Sequence, residues 1–316
     1  MPDAIPPEGH EKFRKLVARA QSQPPVPTAV VHPCDEVSLS GAVEGARLGL
    51  IAPILVGPEE RIRDTAARAG LDISPYDIVN AEHSHDAAAK GVALVRAGKA
   101  QALMKGSLHT DELMGAVVAR ETGLRTARRI SHCFIMDVPG HADALIITDA
   151  AVNIAPSLEE KVDIIQNAID LAHALGAPEA RVAILSAMET VNPKVPSTIE
   201  AAALCKMADR GQITGGILDG PLALDNAISP EAVAVKKIKS PVGGRANILV
   251  VPDLEAGNML AKSLALLAAA DGAGIVLGAR VPIILTSRAD ELLTRLASCA
   301  VASLLAAARR VSTAIP

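Results

Sequence analysis

Aromatic side chains are almost missing. Phe13, Tyr76 and Phe134 are the only three in 316 residues, and tryptophan is absent. The cores must therefore be built from Ala, Val, Leu and Ile. A chain so poor in rings has little on which to stack bases, which argues against single-stranded nucleic acid as a partner. An excess of positive charge is missing too. The 31 Lys and Arg stand against 35 Asp and Glu, a net charge of −4, so no overall field draws the chain to DNA or to an anionic membrane. Any anionic substrate must be held by a local basic cluster.

The start, Met1-Pro2-Asp3-Ala4, lacks a basic stretch followed by an apolar one. No apolar run approaches the ~18 residues that a bilayer span requires, so the sequence predicts a cytoplasmic protein with no membrane partner. Cysteine is scarce. Cys34, Cys133, Cys205 and Cys299 form no Cys-x-x-Cys pair, which predicts buried free thiols and neither a zinc site nor a disulfide framework.

Familiar nucleotide and hydrolase signatures are also lacking. The segment Gly257–Ser263 has the Lys-Ser of a Walker A loop without its second glycine or its spacing. No Gly-x-Gly-x-x-Gly follows the first strand, and no Gly-x-Ser-x-Gly elbow is present. His83 and His85 lie close together without a carboxylate-rich partner motif, and they read as solvated loop residues.

What is present is length for two domains and a regular alternation of short apolar runs with helical patterns. An amphipathic helix over Glu11–Gln21 precedes a proline-rich joint at residues 23–27. Strands are predicted at Thr28–His32, Ala52–Val56, Asp77–Asn80 and Ala102–Lys105, with helices ending near Gly49, Gly70 and Gly98. A second series runs Phe134–Val138, Ala144–Asp149, Arg181–Ala187, Gly215–Leu218, Asn247–Asp253, Gly274–Leu277 and Pro282–Leu285. Ser157 with Glu160 forms a capping box, and Ser229-Pro230 opens another helix. The alternation predicts α/β architecture with parallel sheets.

Several strand ends carry polar residues. Pro282-Ile283-Ile284-Leu285-Thr286-Ser287-Arg288-Ala289-Asp290 reads as a buried strand emptying into a helix N-terminus, where free N–H groups and the helix dipole favour an anion. Ser287 and Asp290 equally fit an N-cap and its partner, but an arginine in a first turn opposes the dipole and points to an anionic ligand. Met104-Lys105-Gly106-Ser107-Leu108-His109-Thr110 repeats the arrangement. Arg125, Arg128 and Arg129 form the densest basic cluster, fit for phosphates or for a solvated loop. Asp219–Ala227, Ser240–Asn247 and Pro252–Asn258 add further polar turns at strand ends.

These segments, in this order and together with Ile147–Pro156, resemble the phosphate acetyltransferase and phosphate butyryltransferase family from about Gln101 onward, and more weakly before it. The resemblance implies two doubly wound α/β domains, isocitrate/isopropylmalate dehydrogenase-like, here residues 1–132 with 277–316 and residues 133–276, with the active site in the cleft between them and a homodimer. It implies that Ser287 and Arg288 lie beside the coenzyme A thiol and the acyl phosphate. Asp290 is the candidate base, standing closer to the arginine than in the acetyl-specific branch, which leans toward the butyryl type. Lys105, His109, Thr110, Arg125, Arg129, Asp225 and Asn258 are the candidate substrate and coenzyme A ligands. The implied reaction is thiolate attack on an acyl phosphate, releasing inorganic phosphate, with no metal and no resident cofactor. Acetyl is the expected acyl group and butyryl the alternative. An NAD-dependent, metal-assisted dehydrogenase of similar fold and a non-catalytic scaffold are the rivals.

Overall fold

The computed structural model describes residues 11–286 and 292–313, the last three by backbone only. In chain order the elements are α1 (Glu11–Gln21), β1 (Val26–Val31), α2 (Glu36–Arg47), β2 (Ile51–Gly57), α3 (Glu59–Ala69), β3 (Asp77–Asn80), α4 (Ser84–Arg96), β4 (Ala102–Lys105) and α5 (Thr110–Val118). Then come β5 (Ser131–Asp137), β6 (Leu145–Thr148), α6 (Leu158–Ala174), β7 (Ala180–Leu185), α7 (Pro196–Asp209), β8 (Gly216–Leu222), α8 (Leu224–Ile228), α9 (Pro230–Lys236), β9 (Ile248–Val250) and α10 (Leu254–Leu267). The chain closes with β10 (Asp271–Leu277), β11 (Ile283–Ile284) and α11 (Leu292–Thr313). It divides into two compact units, residues 1–128 with 273–316 and residues 129–272.

In the first unit the strands run in the order β3-β2-β1-β4-β11-β10. β1 pairs in parallel with β2 and β4, and β11 in parallel with β4, so that Val31 and Ile284 flank the last two residues of β4. The inner strands β1, β4 and β11 are buried along nearly their whole length and read as aliphatic runs, as a sheet covered by helices requires, whereas the edge strand β3 has no buried residue. Gly49, Gly70 and Gly98 take left-handed φ values of 71°, 63° and 71°, ending α2, α3 and α4 as their positions in the sequence indicate.

The second unit is ordered β5-β6-β9-β7-β8. Ser157 and Glu160 exchange capping bonds at the start of α6, with Ser157 N donating to Oε2 at 2.9 Å and Glu160 N donating to Oγ at 3.3 Å.

Three expectations need correction. The first series of strands is parallel as expected, β1 with β2 and β4 and β2 with β3, but elsewhere the sheets are mixed, since β5 and β6 are antiparallel and so are β10 and β11. The reason is the length of the links, residues 138–144 and 278–282, because a parallel pair needs a crossover of a dozen or more residues. His83 and His85 are both exposed, but His85 lies in the first turn of α4 rather than in a loop. His83 caps α4 by accepting from Asp86 N at 3.2 Å, and His85 lies 3.2 Å from Glu112 in an exposed ion-pair geometry. Finally, one stretch, Leu292–Arg310 of α11, is long and apolar enough to cross a bilayer. It is 72% buried within the fold, and Arg295 inside it donates to Thr286 Oγ1 at 3.1 Å, so its apolar surface is spent on the core of the first unit.

Candidate active site

The first unit has a topological switch point. From β1 the chain proceeds outward to β2 and β3, then returns to the other side of β1 with β4, so the strand order reverses between β1 and β4. Ligands in doubly wound sheets bind at that position. The residues there are His32, directly after β1, and Lys105-Gly106-Ser107, ending β4. Thr286, buried, follows β11 on the far side of β4.

Close packing fixes this turn. A Cβ on Gly106 would lie 2.4 Å from the Val31 carbonyl oxygen and 2.5 Å from that of His32, so only glycine lets β4 leave alongside β1. Gly106 N and Ser107 N donate to the carbonyls of Val31 and His32, both at 2.9 Å. Ser107 Oγ donates to His32 O at 2.8 Å, accepts from Cys34 N at 3.2 Å, and lies 3.1 Å from His32 Nδ1. His32 holds a left-handed φ of 56°, a region few non-glycine residues enter, although histidine does so more often than most.

Lys105 is buried, with Nζ 3.5 Å from Gly106 O. His109 is the N-cap residue of α5, and its N–H donates to Glu112 Oε2 at 2.8 Å; Thr110 is the first helical residue. That backbone bond is the main cause holding the Glu112 carboxyl below its ordinary range. Arg125 is exposed on a segment tied to the same unit, bridging to Ala279 while Thr126 Oγ1 donates to Gly278 O at 2.6 Å. The structure thus groups Lys105, His109 and Thr110 on one strand-to-helix turn. Ser287, Arg288 and Asp290 lie outside the described residues, directly after Thr286 in the chain.

The other three predicted residues belong to the second unit. Its focus is Asp149, a buried residue after β6 that the sequence reading assigned no role. Its Oδ1 accepts from Ala151 N and Val152 N at 2.9 and 3.0 Å, and its Oδ2 accepts from His132 N, Asn153 N and Asn153 Nδ2 at 3.2, 3.3 and 2.5 Å. A carboxylate with five donors organises the whole turn. Asn153 Oδ1 accepts from Arg129 Nε at 2.8 Å, and Arg129 Nη1 also meets Glu160 at 2.9 Å. Arg129 is therefore engaged by neighbours of its own unit. Asn258 Nδ2 reaches Ala150 O at 3.4 Å, and Gly257 beside it is required because a Cβ would sit 2.8 Å from Asp149 O. Asp225, exposed on α8, pairs with Lys236 at 3.0 Å, which lowers its pKa. Asp219 and Gly220 lie within β8 rather than beyond its end.

Residues 81–303 match the family described as Phosphate acetyl/butaryl transferase. The chain is 66% identical over 301 residues to a phosphate acetyltransferase of Rhizobium meliloti, covering 95% of each. It is 39% identical to a phosphate butyryltransferase of Clostridium acetobutylicum, covering 94% of this chain and 98% of that one. Among solved structures, a branched-chain phosphotransacylase from Enterococcus faecalis V583 matches with a TM-score of 0.77 at 30% identity, covering 89% of this chain and 99% of the other.

The chain belongs to the phosphate acetyl/butyryl transferase family.

That membership displaces the dehydrogenase reading. Among the described residues, no group of three or more His, Cys, Asp or Glu is placed to hold a metal ion. The family's chemistry turns on a substrate thiol, so this protein's own thiols matter. Burial pushes Cys133, Cys205 and Cys299 up to about 12 and raises Cys34 as well. All four are protonated at neutral pH and poor nucleophiles. His132, wholly buried and edge-on to Phe134 with ring centroids 4.5 Å apart, is pushed down to about 4 by burial. It is neutral at pH 7, so it supplies no cation to activate Cys133.

Proposed function

We propose that this protein is a phosphate acetyltransferase, moving an acetyl group reversibly between phosphate and the thiol of coenzyme A. The observation that carries the choice of acetyl is the 66% identity to a phosphate acetyltransferase along nearly the whole of both chains, against 39% to a butyryltransferase. This overrules the leaning toward the butyryl type drawn from the spacing of Asp290. The butyryl reading stands as the alternative because one methylene in a pocket changes preference by only ~1–3 kcal/mol.

In this mechanism the thiolate attacks the acyl phosphate carbonyl directly. The S–C bond forms, the C–O bond to phosphate breaks, and inorganic phosphate leaves with the electron pair. Arg288 stabilises the oxyanion and the departing phosphate, while Lys105 and the start of α5 supply positive potential at the end of β4. No acyl-enzyme forms, because the substrate brings its own thiol and the protein's thiols, buried except for the partly buried Cys205, are protonated. We place the enzyme in the cytoplasm and expect a homodimer.

Incubation with acetyl phosphate and coenzyme A, and separately with NAD and a panel of hydroxy acids, tests the reading. Thioester absorbance in the first mixture alone is the expected result. Absence of thioester, or reduction of NAD, overturns it.

A further inference from the structure

The thiol of coenzyme A has a free pKa near ~8.5, so attack at neutral pH needs a proton acceptor. At the switch point of the first unit, Ser107 Oγ holds one hydrogen and gives it to His32 O at 2.8 Å. Its lone pairs take Cys34 N–H at 3.2 Å and the His32 ring at 3.1 Å, so the contact with the ring requires Nδ1 to be the donor. In the neutral imidazole this leaves the free lone pair on Nε2. That atom has no hydrogen-bond partner among the described residues, although His32 is only 7% exposed. The lone pair is not spent within the protein, and the atom is not among the side-chain atoms sealed from solvent without a partner, so a ligand at this end of the sheet can reach it.

Two further observations concern the same residue. His32 adopts a left-handed backbone, φ 56°, held there by the bonds of Gly106 N and Ser107 N to the carbonyls of Val31 and His32. It also stands one strand from the carboxyl end of β11, since Val31 aligns with Lys105, and Met104 with Ile284, across β4. The chain passes from there to Ser287 and Arg288.

We propose that His32 Nε2 accepts the proton of the coenzyme A thiol, with Ser107 as the positioning residue that fixes its tautomer. The inference rests on the transacylase reading above and deepens it. The S–H bond breaks with its electron pair left on sulfur, and the proton goes to Nε2. The thiolate then forms the S–C bond as the C–O bond to phosphate breaks, and the imidazolium returns its proton to solvent or to the departing phosphate. Burial and the guanidinium of Arg61 on α3 lower the His32 pKa, whereas Glu112 on α5 and Asp35 at the head of α2 oppose them. Lys105, buried at the end of the adjacent β4, has its Nζ 3.5 Å from Gly106 O. The net lowering keeps the ring neutral, and so able to accept, at neutral pH. The rate should fall only as pH drops through a value below 6.5.

His32→Asn is the test variant, because asparagine tolerates a left-handed backbone. With acetyl phosphate and coenzyme A, its kcat should fall by ~10²-fold or more, the scale of a lost acid–base group, with KM for acetyl phosphate unchanged and the acidic limb of the kcat profile gone. Ser107→Ala should retain that limb but shift it. A His32→Asn enzyme with the wild-type rate and the wild-type acidic limb overturns the proposal while leaving the transacylase reading intact. A wild type that forms no thioester overturns both. A second measurement needs no variant to fold. In 15N NMR of the wild type labelled at histidine, His32 Nε2 should resonate as an unprotonated nitrogen and move on addition of coenzyme A, but not of its analogue lacking sulfur. An equal response to both ligands, or to neither, contradicts the role.

Discussion

Cys133 follows His132 beside a basic segment, the setting in which a cysteine nucleophile would be sought. Its side chain nevertheless has no exposure within β5, and the thiol is held at about 12. Replacement by serine or alanine should leave kcat close to wild type, and initial rates with both substrates varied should give intersecting double-reciprocal lines. A dead variant with parallel lines in the wild type would show that the enzyme carries the acyl group itself. Arg288 belongs to the same scale. Arg288→Ala should lower kcat by roughly 10²–10³, with lysine rescuing poorly because it lacks the planar fork that grips phosphate oxygens. Full activity in the alanine variant would make Arg288 an ordinary surface residue. A single residue is legible in a sequence when a motif surrounds it, as Thr286-Ser287-Arg288 does. His32 has none, since a histidine after an apolar run is ordinary, and only the strand order shows that β1 ends at the switch point. Asp149 stood within a recognisable segment, but its five donors come from residues up to 17 positions away.

At the scale of elements, the alternation of apolar runs with helical patterns matches β3 and β4 residue for residue and α1 likewise, because short apolar runs between helices that end in left-handed glycines leave little ambiguity. Boundaries failed where polar residues continue a strand, as at Asp219 in β8, and where polar residues open a helix, as at His85 in the first turn of α4. Strand direction is a matter of linker length rather than composition, which hid the antiparallel β5–β6 pair. The β1–β4 junction makes a sharp prediction. Gly106→Ala forces a Cβ against two backbone carbonyls at 2.4 and 2.5 Å, neither of which can rotate away. Overpacking of this kind costs ~1–3 kcal/mol, and here it also separates Ser107 from His32. The melting temperature should fall and kcat should fall with it. A variant with wild-type stability and rate would show that the junction is looser than its geometry requires.

For the whole molecule, the ordered set of strand-end segments made the family legible, because loops that carry chemistry keep their order along the chain even when the cores between them are interchangeable aliphatics. The acyl group was not legible. Chain length is set by the shape of a pocket, to which no motif corresponds, and the spacing of one acidic residue after Arg288 pointed toward butyryl while the similarity of the full chain points to acetyl. The most direct test compares kcat/KM for acetyl phosphate and butyryl phosphate in thioester formation with saturating coenzyme A. The account predicts that acetyl phosphate is preferred, by ~10-fold or more if one or two methylenes are rejected at the usual cost. A preference for butyryl phosphate, or no thioester from either, would contradict it.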